Sequence, residues 1–336
     1  MTVGPASAGP LRSRHGSLEE GLGTRFVVRR LPSLVLTWIL VSVIAFVVMH
    51  VTAGNPAAMM LGEQASPAEV ARLSRVLGLD QPLPAQYLHW MDGVIHGNLG
   101  NSIYLGEPVL RAIIQRLPIT LSLTIVALTM AIVVGVSAGI LAALRQGSWV
   151  DAAVMTVATA GLSMPEFWIG LMLILVFAVD MHLLPLMGYV PFTANPVGWF
   201  EHIIMPAFAI GFIQSAPIAR MTRSSLLDVL HADYMRTARA KGLGAGRVVL
   251  RHGLRNAAIP VITTLGIILA ALISGAFVVE TVFDIPGVGY MMLQAVDNRD
   301  YPVIQGGIMM IASAILVVNL LIDLCYSLVD PRVEFR

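Results

Sequence analysis

The chain has 336 residues, of which 57% are hydrophobic and only 12% charged, with a mean hydropathy of +0.79. Soluble domains carry about a quarter charged residues, so this composition excludes an ordinary water-soluble globule and points to lipid as the main solvent. The single cysteine, Cys325, excludes an intrachain disulfide and a multi-thiolate metal site, while a formal net charge of +1 leaves the distribution of charge as the informative quantity.

In chain order, residues 1–24 are rich in Gly, Ser, Pro and Arg and read as a disordered tail. Residues 31–62, 117–144, 202–219, 256–279 and 301–322 contain no Asp, Glu, Lys or Arg, and 152–179 is interrupted only by Glu166. A spanning helix needs about 20 mainly apolar residues, so six spans are expected at 31–52, 117–144, 151–179, 202–222, 257–281 and 303–328. The stretch 181–200 is also uncharged, but Pro185, Gly188, Pro191, Pro196 and Gly198 make it a loop.

Between the first two spans, 53–116 is the one sizeable segment outside the spans on its side. "SPAEVARLSRVLG" within it marks a helix: Ser66 as N-cap, Pro67 at the first helical position, Glu69 closing a capping box and Gly78 ending it. "AQYLHWMDGVIHG" reads as a second amphipathic helix, with Tyr87, Trp90, Met91 and Ile95 available to lie against the membrane surface. Of the 21 Lys and Arg residues, an N-inside topology puts 16 inside and leaves Arg72, Arg75, Arg111, Arg116 and Arg299 outside. By the positive-inside rule both termini are expected to be cytoplasmic. The first helix reads as an uncleaved anchor. The organisation expected is a tail 1–24, a first helix 25–52, an external segment 53–116, a five-helix core 117–329 with a cytoplasmic loop 223–255, and a C-terminus 330–336.

The chemistry is mostly of exclusion. A P-loop needs Lys followed by Ser or Thr, and the only lysine, Lys241, precedes Gly242. No HExxH or CxxC pattern occurs. "GLSM" could present Ser163 as an intramembrane serine nucleophile, but no histidine is expected at the same depth. A non-catalytic chain is therefore expected, with an ion-coupled secondary transporter as a further alternative. Glu166, mid-span, should face the bundle interior, because a charged carboxylate there costs about 2.5–3.5 kcal/mol on insertion scales. Pore-lining and structural roles are both open to it. Glu280 and Asp284, at the outer end of the fifth span near "IPGVGY", read as a solvated turn or a gate element.

The loop 220–255 holds eight basic and two acidic residues. Within it "DYMRTARAKG" has Asp233 as N-cap and Gly242 as C-cap of a two-turn helix with a narrow surface at Thr237, Ala238 and Ala240. Small side chains suit a helix that sinks into a groove of a soluble partner, whereas a lipid-binding helix would carry large apolar residues opposite its charges. Here the sequence resembles a known family. "DYMRTARAKGLGAGRVVLRHGLRNAAIPVITTLG" is similar to the cytoplasmic loop of ABC-importer permeases of the dipeptide/oligopeptide/nickel branch. "AGNPA", "LGLDQPLPAQYLHW", "GNLGNS", "LSMPEFWIG", "VVETVFDIPGVG", "RDYPVIQGG" and the terminal "DPR" extend the resemblance over residues 26–336 in order. Arg236 stands where the wider family has Glu in this loop.

The resemblance implies an all-α, six-span type I permease in the bacterial plasma membrane that translocates peptides or, within the branch, nickel chelates or glutathione. It implies a paralogous permease chain, two ATPase subunits that use ATP and Mg, and an external substrate-binding protein, with no cofactor in this chain. Asp233, Tyr234, Arg236, Thr237, Ala238, Arg239, Ala240, Lys241 and Gly242 would form the coupling helix. Glu166, Glu280 and Asp284 are the candidates for the translocation path or gate.

Overall fold

The structure is a computed structural model that describes residues 15–52, 56–61, 65–76, 78–232 and 254–329. It is built of helices: α1 (His15–Thr52), α2 (Pro56–Leu61), α3 (Pro67–Val76), α4 (Leu83–Ile95), α5 (Val109–Leu144), α6 (Trp149–Leu162), α7 (Glu166–Leu173) continuing as a π-helical segment (Ile174–Asp180), α8 (Pro196–His231), α9 (Leu254–Val282), α10 (Val288–Asp297) and α11 (Tyr301–Val329). Four helices are long and apolar enough to cross a membrane, or six if each of two bent pairs is one span. This is the expected six-span, all-α architecture. α1 begins at His15, so residues 15–24 of the segment expected to be disordered are helical.

The third span is not the continuous helix expected over 151–179. Ser163, Met164 and Pro165 interrupt it, and the axes on either side differ by 103°. Pro165 has no N–H to give the ladder and disfavours helix in the residue before it. The fifth span bends by 44° between Pro260–Ile273 and Gly275–Val282. α8 starts earlier than expected, because Asn195 caps it, accepting from the Val197 and Gly198 N–H groups at 3.1 Å with Pro196 at the first position.

α8 is the central helix, packed on α5, α6, α7 and α9. Its approach to α5 is set by Gly135 and Gly139: an added Cβ would lie 2.6 Å from the Ser215 and Ala219 carbonyls respectively. Glycines four apart let two backbones touch where lipid supplies no hydrophobic drive between helices. Around this seam Leu123, Ala127, Ile210, Ile218, Leu272 and Phe283 form the main core.

Contacts define two ends of the bundle. At one, the cap end, lie α3, α4, α10 and the segment 96–108. Here the Ser66 hydroxyl and N–H both donate to Glu69 (2.7 and 2.9 Å) and the Glu69 N–H returns to Ser66 Oγ (3.3 Å), so the capping box forms as expected. Tyr87 and Trp90 of α4 are half-buried. They pack on Phe46 of α1 with ring centroids 5.5 and 6.0 Å away, and the Tyr87 hydroxyl meets Ser42 Oγ at 2.8 Å. Ile95 remains exposed. At the opposite end Asp151 opens α6 and forms a two-point pair with Arg223 of α8, at 2.6 Å (Nε to Oδ1) and 2.7 Å (NH2 to Oδ2).

Candidate functional site

At the cap end α9 turns through 283–287 into α10, and Glu280 lies beneath that turn with its side chain fully buried. Thr120 of α5 donates to Glu280 Oε1 at 2.6 Å while its own oxygen accepts the Val288 N–H at 2.9 Å. Glu280 Oε2 accepts the Tyr290 N–H at 3.0 Å, so one carboxylate and one hydroxyl satisfy two N–H groups at the start of α10. A side chain on Gly287 would run into this carboxylate, which is why the turn closes over it only with glycine. The reading of Glu280 as part of a solvated turn is therefore corrected: it is buried between Thr120 of α5, distant in sequence, and the start of α10. Asp284 does fit that reading. It is exposed at φ +50°, and its hydrogen bond with the Tyr290 phenol holds that phenol above its usual pKa.

Beside α10, Tyr104, Arg116, Tyr290, Gln294 and Asp300 line a small cavity. Asp300, buried, accepts from the Ser102 hydroxyl and from the Tyr104 N–H at 3.0 Å, tying the 96–108 segment to the α10–α11 corner. Its other carboxylate oxygen is buried without a hydrogen-bond partner. Sequence reasoning passed over Asp300, although it stands in the quoted block "RDYPVIQGG".

Glu166 occupies the first position of α7, immediately after the break in the third span. It is partly buried, and the Gln214 side chain, midway along α8, lies within hydrogen-bonding reach. Its Oε2 would be 2.6 Å from a Cβ added to Gly275, which lies at the bend of α9. The interruptions of the third and fifth spans thus meet at one carboxylate. Glu166 and Glu280 belong to separate clusters, with different helices contributing the partners of each.

Ser163 does not sit in a nucleophile's setting. Its hydroxyl donates back to the Thr159 carbonyl at 3.2 Å, and no hydrogen bond among the described residues joins it to a histidine. The coupling segment, Asp233, Tyr234, Arg236, Thr237, Ala238, Arg239, Ala240, Lys241 and Gly242, lies outside the described residues. The flanking ends of α8 and α9 meet where Ala143, Leu226 and Ala257 pack together, on the same side as the Asp151–Arg223 pair.

Comparison with known proteins bears on this arrangement. Residues 135–335 match the family described as binding-protein-dependent transport system inner membrane component, and 23–124 match its N-terminal counterpart. The chain is 41% identical to the "Probable peptide ABC transporter permease protein y4tP" of Sinorhizobium fredii over 92% of its own length and 99% of the relative's. It is also 41% identical to the "Dipeptide transport system permease protein DppB" of Escherichia coli K12, covering 93% of this chain and 99% of that one. Among solved structures, "Inward facing conformations of the MetNI methionine ABC transporter: CY5 native crystal form" superposes with a TM-score of 0.55 at 17% identity, over 66% of this chain and 97% of that one. At that identity the likeness speaks for the fold. By the family matches and by relatives aligned over more than nine-tenths of its length, the chain belongs to the binding-protein-dependent transport system inner membrane components, as a multi-pass permease subunit of an ABC importer.

Proposed function

We propose that the chain carries di- or oligopeptides across the bacterial plasma membrane, with both termini cytoplasmic. It works beside a paralogous permease, two separate ATPase subunits that bind ATP and Mg, and an extracytoplasmic binding protein. The observation that carries the cargo class is the end-to-end similarity to permeases named for peptides and dipeptides. The only lysine, Lys241, precedes Gly242, which supports leaving ATP hydrolysis to the partners.

In this reading residues 233–242 form the helix that docks in an ATPase cleft, and its small residues set the fit. Overpacking a close-packed site costs about 1–3 kcal/mol, which weakens docking roughly five- to 150-fold. Ala238→Trp should abolish ATP-driven uptake of a labelled dipeptide in proteoliposomes and loosen co-purification of the ATPase subunits. Arg239→Glu should do less, because exposed charge pairs contribute little. If basic residues serve only topology, the ranking reverses. Full transport by Ala238→Trp sinks the coupling assignment.

A further inference from the structure

The break between α6 and α7 leaves an unusual set of atoms exposed. Ser163, Met164 and Pro165 are non-helical and exposed, and the neighbouring Phe167 and Trp168 of α7 are exposed too. No backbone donor among the described residues reaches the carbonyls of Leu162, Ser163 or Met164; the Ser163 and Met164 N–H groups turn back to Ala160 and Gly161. Irregular backbone at membrane depth is tolerated where it is buried in protein or lines water, and not against lipid, where each unsatisfied group costs several kcal/mol. The break is within the bundle's span, since its Glu166 lies beside Gln214, midway along α8.

The chemistry of the exposed set is weighted toward acceptors. Three open carbonyls at the C-terminal end of α6, where the helix dipole is negative, stand next to the Glu166 carboxylate, and the donors beside them are the Gln214 amide and the unpaired Glu166 and Phe167 N–H groups that open α7. The oxygen acceptors outnumber these donors and carry the negative charge, which favours a donor-rich cation. An ammonium offers three N–H groups and a charge, whereas a carboxylate or an apolar side chain satisfies none of these oxygens. Discontinuous helices meeting near mid-membrane are also where transporters place their cargo.

We infer that the 163–166 break lines the aqueous translocation path and that Glu166 receives the ammonium end of the cargo there, as a specificity-determining residue. This rests on the peptide reading above, because a peptide's free amino terminus is the cation proposed.

The test uses the whole reconstituted complex with its binding protein. In a Cys325→Ser background, Ser163→Cys should react with a charged, water-soluble thiol reagent, and a saturating dipeptide under turnover should slow that reaction. Separately, Glu166→Gln should lower uptake of labelled alanyl-alanine by about tenfold or more, the scale of one charge-assisted hydrogen bond. Glu166→Asp should restore part of it, while co-purification with the ATPase subunits stays at the wild-type level. A Ser163→Cys that is inert in every nucleotide state overturns the path. Uptake by Glu166→Gln at the wild-type rate overturns the role of the carboxylate. If Glu166→Gln fails to assemble, protection of Ser163→Cys by alanyl-alanine but not by its N-acetyl form decides: equal protection by both overturns the ammonium assignment. A wild-type complex that takes up no dipeptide removes the cargo reading instead, and thiol labelling then still decides the path.

Discussion

Thr120 shows how much one hydroxyl can organise. It donates to a fully buried carboxylate and accepts the first N–H of α10, so removing it strands both. Thr120→Val keeps the shape and should destabilise the purified chain by about 1.5–3 kcal/mol, the range for hydrogen bonds to charged groups, whereas Thr120→Ser should stay near wild type. Equal unfolding midpoints for the two variants in detergent would refute the arrangement. Glu69 supports a pH prediction at the same scale. The Ser66 hydroxyl and N–H hold its carboxyl below the ordinary value of 4.5. A depressed folded-state pKa contributes stability above the unfolded value that is lost as pH falls through the folded one. Amide exchange in 67–72 should therefore accelerate on acidification below about pH 4.5 relative to the intrinsic rate. Ser66→Ala should flatten that dependence, and an unchanged profile would contradict it.

Among elements, the α5–α8 seam is the most demanding. Leu at Gly139 would collide with the Ala219 carbonyl and Thr222, and overpacking of this kind costs about 1–3 kcal/mol. Gly139→Leu should lower the thermal midpoint more than Gly147→Leu, since an added Cβ at Gly147 meets nothing within 4 Å. The latter is strained only through its φ of +75°. Similar shifts would speak against a close-packed seam. The seam and the early start of α8 were missed although both have local signals: Gly135 and Gly139 stand four apart in a charge-free span, and Asn195 directly precedes Pro196. The capping box at Ser66 and the six apolar spans were readable: each depends on neighbours within a few residues. Glu280 was not. Its burial depends on Thr120 and on the return of α10, and nothing in "VVETVFDIPGVG" announces that a residue 160 positions earlier will supply the donor. The 103° break could be suspected from Ser163–Pro165 but not its meeting with the bend at Gly275, which is a property of packing.

For the whole molecule, the distribution of basic residues makes a claim about sidedness. An N-inside topology would put 16 of the 21 Lys and Arg on the cytoplasmic side, so a cysteine at Ala194 should react with an impermeant thiol reagent from outside intact cells and one at Gly244 should not. The reverse pattern would overturn the orientation. The cap end has a mechanical consequence beyond its stability. The end of α5, the end of α9 and the start of α10 all close on the Glu280 carboxylate, and separating any of them would strand that carboxylate in a medium of low dielectric. These elements are therefore expected to move together. The compliant points are where the helical ladder is interrupted or bent, at 163–165 and beside Gly275, and both lie against Glu166. If the chain bends during transport, it should bend there, beside the side chain proposed to hold the cargo. A cargo ammonium at Glu166 would then be felt as a change in the angle between the helices on either side of it.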